Sequence, residues 1–266
     1  MFIQYFGMKY NPFSKEIDSS HLYTSEESQE VAARLKYLEQ TRRIGLIVGE
    51  PGVGKTTSLR KYVDHLNPSL FKPCYFALST VTVKEFYRGL ALLLGEEPKF
   101  QKIGLFNQIQ AAIGNLHNQN RITPVIVLDE IHLASNALLE DLRLLFNFSM
   151  DSDNPYILIL SGQPLIRNKL ALTINNPLRQ RITVKYNLQG LKETEMEAYC
   201  NTRLEMVGCK EKLFTEEALR ALYSITKGHP RLVNNIATAA LLYGYSQKTR
   251  IIDEEAIYQA QNEVNF

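Results

Sequence analysis

Cysteine is scarce in this chain, and its three residues, Cys74, Cys200 and Cys209, fit no metal-ligand spacing. An odd, unpaired set argues against a disulfide scaffold and for reduced thiols, so the cytoplasm is the expected compartment. The opening stretch MFIQYFGMKYNPF lacks the basic and then apolar regions of a signal peptide. No apolar run approaches the roughly 18 residues that a membrane span needs, so no membrane partner is expected. Repeats and low-complexity linkers are missing too. His21, His65, His117, His132 and His229 are scattered, which suggests no metal cluster.

A strong charge imbalance is also absent. The chain carries 30 basic and 28 acidic residues, a net charge of +2 that says little about partners. Residues 190–266 hold 9 basic and 11 acidic side chains, whereas residues 55–121 hold 9 basic against 4 acidic. A basic stretch on a balanced protein permits nucleic-acid contact without requiring it.

What is present is an ordinary globular composition, 45% hydrophobic and 22% charged over 266 residues. That length suits one large domain, or a core with a smaller appendage. Short apolar runs at Ile44–Val48, Cys74–Leu78, Pro124–Leu128, Tyr156–Leu160 and Ile182–Leu188 alternate with helical patterns. Those helices are placed at about Thr56–His65, Thr82–Leu94, Leu105–Asn118, Asn136–Phe148 and Pro164–Leu172. The alternation predicts an α/β fold with a mainly parallel five-stranded sheet. Its first four runs are apolar nearly throughout, as strands covered on both faces would be.

Beyond about residue 190 the strand-like runs stop. Leu191, Met196, Tyr199 and Leu204 recur at helical spacing, Thr215 reads as an N-cap, Pro230 suits a first helical turn, and Asp253 caps a last helix. The expected organisation is an α/β core at 1–189 followed by a small all-helical lid at 190–266.

Residues 49–57 read GEPGVGKTT and satisfy G-x-x-x-x-G-K-[ST] between a strand-like run and a helix. In this pattern Gly49, Gly52 and Gly54, with Pro51 and Val53 between them, let successive backbone N–H groups curl around a phosphate. The following helix adds the positive end of its dipole. Lys55 supplies charge near the β and γ phosphates, and Thr56, with Thr57 behind it, a hydroxyl for Mg²⁺. Residues 125–130 read VIVLDE, an apolar strand ending in two acids. Asp129 is placed to hold the Mg²⁺ shell and Glu130 to activate an attacking water.

The loop and the acidic pair resemble AAA+ ATPases. YFGMKYNPFSKEI followed by LYTSEES looks like the opening of ExeA-type ATPases, a group that resembles the transposition ATPases TnsC and MuB and, more distantly, the Cdc6/Orc initiators. ILSGQPLIR with NNPLRQRI is similar to the same group's fourth strand and arginine-bearing segment, and KGHPRLVNNI to its sensor-2 motif. The resemblance implies that Gln163, or else Ser161, is sensor 1. It implies that Arg181 or Arg179 is an arginine finger acting on a neighbouring subunit's nucleotide, and that Arg231 links the lid to nucleotide in cis. Pro12 and Phe13, in the aromatic N-terminal segment, would pack near the adenine. In TnsC-like relatives the segment after the second strand lies near DNA, which nominates Ser79, Thr80, Lys84, Arg88, Lys99 and Lys102 as phosphate contacts.

The expected activity is Mg²⁺-dependent ATP hydrolysis that drives assembly or switching, because no nucleophile elbow or second catalytic centre is visible. The resemblance implies a transposition helper, a nucleotide-dependent homo-oligomer on double-stranded DNA that reads no sequence and recruits a transposase. One alternative is an ExeA-type secretion ATPase; that group usually continues into a membrane span and a peptidoglycan-binding domain, whereas this sequence stops at Phe266. Another is a Cdc6-like loader, which needs a winged-helix domain after the lid, for which no room is expected. Glu130 argues against a scaffold that binds nucleotide without hydrolysing it.

Overall fold

The computed structural model describes residues 2–15 and 22–264. His21 and the Glu16–Ile17 end of the N-terminal motif therefore lie outside the described residues.

Five strands form: β1 (Ile44–Gly49), β2 (Phe71–Ala77), β3 (Thr123–Asp129), β4 (Ile157–Gly162) and β5 (Ile182–Leu188). All pair in parallel in the order β2-β3-β4-β1-β5. Position in this order explains their composition. The inner strands β1, β3 and β4 are buried at every residue and read as continuous apolar runs. β2 and β5 are edges; their burial alternates, and β2 tolerates Pro73 because an edge strand can forgo a ladder donor. The expectation of an apolar, doubly covered second run at Cys74–Leu78 fails for this reason: Tyr75, Phe76 and Ala77 are not buried.

The chain divides into two compact units. One comprises residues 30–50 and 55–188, with the sheet and its crossover helices. Helices Lys55–His65, Val83–Leu94, Lys102–Asn118, Asn136–Leu145, Leu165–Ala171 and Asn176–Arg181 connect the strands. Their apolar faces join the sheet in a core that includes Leu46, Val48, Phe86, Tyr87, Ile109, Ile126, Leu142 and Leu158. The helix at Asn136 ends at Leu145 rather than Phe148, and the Arg181 guanidinium caps its end, donating to the carbonyls of Arg143 at 2.9 Å and Phe146 at 3.0 Å. Helix C-termini leave orphan carbonyls that a basic side chain can satisfy. A helix at Glu26–Thr41 precedes β1; sequence periodicity does not announce it, because Val31, Leu35 and Leu38 are its only buried side chains.

The other unit comprises residues 1–29, 51–54 and 189–266. Helices Phe2–Tyr5, Met196–Met206, Glu216–Thr226, Pro230–Ser246 and Glu254–Val264 belong to it. Its separate core gathers Phe6, Met8, Phe13, Leu204, Leu222, Ile236 and Ile257. The N-terminal segment is part of this core: Lys9 N–H donates to the Val207 carbonyl at 2.9 Å, and Arg203 Nη2 donates to the Ser14 carbonyl at 2.9 Å. Helix ends follow the local chemistry. Thr215 Oγ1 accepts from Ala218 N–H at 3.1 Å, Pro230 opens its helix, and Asp253 Oδ1 accepts from Ala256 N–H at 2.9 Å.

The Thr215 cap yields a direct test. Thr215→Ala leaves a first-turn N–H without its partner and should lower stability by about 1 kcal/mol, a drop of roughly 2–4 °C in melting temperature. Thermal melts followed by circular dichroism should show that drop, with Thr215→Ser restoring most of it.

Candidate active site

The acidic pair sits at the tip of a strand that offers water no access. Asp129 is 2% exposed at the end of β3. A buried carboxylate is costly unless donors surround it, and this one has three. Thr56 Oγ1 donates to Asp129 Oδ2 at 2.9 Å, the Tyr75 hydroxyl donates to the same oxygen at 3.1 Å, and the Glu130 N–H donates to Asp129 Oδ1 at 2.9 Å. The pairing of β2 with β3 explains Tyr75, since Ala77 stands opposite Asp129 and Tyr75 two residues earlier on the same strand face. Burial first, then the Asp129 charge, pushes the Tyr75 phenol up to about 12, so it remains a donor at neutral pH. Sequence reading misses this residue: a tyrosine inside an apolar run looks like core packing, and only the strand register sets its hydroxyl beside Asp129.

Glu130 follows in a left-handed backbone conformation, φ 58° and ψ 33°. For a residue with a Cβ this costs on the order of 1 kcal/mol or more. The bend turns the chain out of β3 and leaves the Glu130 side chain 42% exposed, with Oε2 3.2 Å from Nδ1 of His132. His132 is itself buried. Its Nδ1 also accepts from the Gln163 N–H at 3.3 Å, and its carbonyl accepts from Lys169 Nζ at 2.6 Å. Ser161, the other sensor 1 candidate, is fully buried on β4, and its hydroxyl has no partner among the described residues.

The phosphate-loop residues take the following places. Lys55 is buried, and its Nζ donates to the carbonyls of Gly49 at 2.8 Å and Glu50 at 3.0 Å. Thr56 and Thr57 open the helix after the loop and are exposed. In the unit that includes 51–54, Val53 is buried, while Gly52 and Gly54 hold φ of 84° and 105°, the left-handed region that favours glycine. Arg231 N–H donates to the Gly52 carbonyl at 3.2 Å, and a Cβ on Gly52 would stand 2.9 Å from Arg231 Cβ, so only glycine fits against that helix.

The remaining predicted residues are more scattered. Arg179 is exposed and donates to Asn176 Oδ1 at 2.8 Å, whereas Arg181 spends two nitrogens on the carbonyls of its own unit described above. Pro12 and Phe13 are buried in the helical unit, where Phe13 meets Phe214 edge to face. Ser79, Thr80, Arg88 and Lys99 are exposed. Lys84 lies over the Phe100 ring at 4.2 Å, and Lys102 forms an ion pair with Asp141 at 2.8 Å. Among the described residues there is no cluster of three or more His, Cys, Asp or Glu able to hold a metal, and no helix long and apolar enough to cross a membrane.

The donor set nevertheless fits a hard divalent cation. A hydroxyl and a carboxylate 2.9 Å apart are hard oxygen ligands, the type Mg²⁺ takes alongside substrate phosphates, and that ion needs no all-protein cage.

A family model described as an AAA domain matches residues 38–170. General secretion pathway protein A of Aeromonas hydrophila is 32% identical over 272 residues, which takes in 100% of this chain and 49% of that protein. The chain thus spans about half the length of this curated relative. Among solved structures, Cdc6p from Pyrobaculum aerophilum aligns with a TM-score of 0.72 at 16% identity, over 95% of this chain and 70% of that one. The Aeropyrum pernix ORC1 protein in complex with DNA aligns at 0.68 and 16% identity, over 97% and 69%. The RuvB Holliday junction branch migration motor of Thermotoga maritima aligns at 0.62 and 15% identity, over 96% and 74%. At such identities these structures share the fold and nothing finer.

The buried phenol makes stability depend on alkaline pH. Tyr75 rises from 10.0 to about 12 on folding, and burial lifts the neighbouring Cys74 thiol from 9.0 to about 11. The unfolded chain therefore releases these protons first, so stability is intact below about pH 9 and is lost as pH climbs through 12. Other buried phenols and thiols, Tyr62, Tyr87, Tyr199 and Cys200, are raised by burial as well; melting temperature measured from pH 8 to 12 should fall along that range, and Tyr75→Phe should make the fall above pH 10 shallower without removing it.

Proposed function

Because this chain belongs to the AAA domain family, we propose that it is a Mg²⁺-dependent ATPase whose hydrolysis drives a secretion-type machine. Membership of this family of P-loop nucleoside triphosphatases implies nucleotide hydrolysis. The observation that carries the ATPase assignment is the 2.9 Å contact between Thr56 and Asp129, with Glu130 bent out of the strand beside it. When bound, Mg²⁺ would neutralise charge on the β and γ phosphates. Thr56 and Asp129 would hold it, residues 49–57 would bind the phosphates through backbone N–H groups, and Lys55 would leave its loop carbonyls for them. Glu130 would take the proton of the attacking water.

The remaining assignments follow the same logic. Exposure favours Arg179 over Arg181 as the finger toward a second copy, because Arg181 would have to abandon a helix end. Gln163 rather than Ser161 is the sensor 1 residue, since Ser161 lies inside the sheet. Residues 190–266 act as the lid, and Arg231 senses nucleotide from its first helical turn.

The secretion reading rests on the identity with general secretion pathway protein A, which extends over the whole of this chain. A second reading, nucleotide-dependent binding of duplex DNA, is favoured by the DNA-bound ORC1 neighbour and by the exposure of Ser79, Thr80, Arg88 and Lys99. Lys84 and Lys102 are less suited to it, being engaged with Phe100 and Asp141. The transposition-helper role is a special case of this reading that no relative named above supports.

Two measurements test these assignments. Glu130→Gln should bind ATP with wild-type affinity and lose turnover by about tenfold to a hundredfold or more, the loss expected on removing a general base; unimpaired phosphate release would refute the role. Fluorescence anisotropy of labelled duplex DNA, with and without ATP at two salt concentrations, separates the partners. The secretion reading expects no ATP-dependent affinity. Tight, salt-sensitive binding without sequence preference would replace it with the DNA reading.

A further inference from the structure

One nitrogen in this structure faces two partners that it cannot serve together. Nδ1 of His132 lies 3.3 Å from the Gln163 backbone nitrogen and 3.2 Å from Glu130 Oε2. A backbone N–H always carries its hydrogen, so while Gln163 donates, Nδ1 must present a lone pair and the ring hydrogen must sit on Nε2. That lone pair then faces the carboxylate oxygen of Glu130, and no hydrogen bond joins them. For His132 to donate to Glu130, the hydrogen must be on Nδ1 and the Gln163 N–H must turn away.

The surroundings make this choice sharp. Lys169 Nζ donates to the carbonyls of His132 at 2.6 Å and Ala134 at 2.8 Å, which pins the turn that carries the imidazole. The end of β4 lies directly against the same turn: a Cβ on Gly162 would stand 3.0 Å from Ile131 Cγ2 and 3.1 Å from the His132 nitrogen. The imidazole is 8% exposed, so water offers Nδ1 little alternative. The Gln163 N–H and the Glu130 carboxylate therefore compete for one nitrogen of a buried ring.

We propose that His132 is a positioning residue that couples the end of β4 to Glu130, bonded to Gln163 in the arrangement described above and to Glu130 when bound nucleotide shifts Gln163. The change of partner moves the ring hydrogen: one proton is given up at Nε2 as another is taken up at Nδ1. Donation from Nδ1 then fixes the orientation of a carboxylate that is otherwise 42% exposed and free to rotate. The proposal rests on the hydrolysis reading for its consequence but not for its geometry.

The test is the tautomer itself. Long-range ¹H–¹⁵N spectra of the imidazole, assigned with a His132→Asn variant, should report hydrogen on Nε2 without ligand and on Nδ1 with Mg²⁺ and a non-hydrolysable ATP analogue. Turnover supplies the second arm. His132→Leu should lower kcat by about tenfold, a part of what a general base contributes, while the affinity for the analogue stays within about twofold. His132→Asn, whose amide occupies the Nδ1 position and can present either a donor or an acceptor, should recover most of that loss. One unchanging tautomer in both states, equal losses in the two variants, or a loss of analogue binding in His132→Leu would overturn the coupling. If the wild-type protein hydrolyses nothing, the hydrolysis reading fails, and the spectra still decide whether His132 changes partner.

Discussion

The Asp129 carboxylate is the constraint around which the candidate active site is organised. It sits at the tip of a strand whose every residue is buried, and a buried anion has to be satisfied by donors brought to it. Those donors come from three separate parts of the chain: Thr56 from the helix after β1, Tyr75 from the edge strand β2, and the amide of Glu130 from the next peptide. Satisfying one charge therefore fixes the register of β2 against β3 and holds the start of the 55–65 helix at the carboxyl end of the sheet. That is the end at which open α/β sheets bind their ligands.

The residue next to it is strained. Glu130 gives its amide to Asp129 Oδ1, leaves the strand in a left-handed conformation and has a partly exposed side chain. The cost is tolerated because the following turn is held elsewhere: Lys169 ties the carbonyls of His132 and Ala134, and Ser135 caps the helix that begins at Asn136. Strain of this kind, supported by its surroundings, gathers at functional sites. Here it makes a carboxylate accessible one residue from a carboxylate that is not.

Much of this was legible in the residues themselves, for reasons that differ by element. The three inner strands were readable because double-sided burial demands unbroken apolar runs, and the phosphate loop because its backbone demands glycines at fixed spacing. The caps at Thr215, Pro230 and Asp253 were readable because they obey local rules. The helix at Glu26–Thr41 was not, since three buried side chains in sixteen residues leave too faint a period. Tyr75 and His132 were not, because their importance lies in cross-strand register and in a turn packed on β4, neither of which is a sequence-local property. Arg181 was read by motif position alone; its bonds to the end of the 136–145 helix depend on tertiary placement.

The account stands on the claim that Thr56 and Asp129 together hold the metal of a bound nucleotide. Anomalous diffraction from crystals grown with Mn²⁺ and a non-hydrolysable ATP analogue addresses it directly. The expected result is a manganese peak in coordination distance of Thr56 Oγ1, bonded to Asp129 directly or through one water, with the analogue's phosphates along residues 49–56. A peak away from both residues, or phosphates outside that loop, would contradict the assignment of this site.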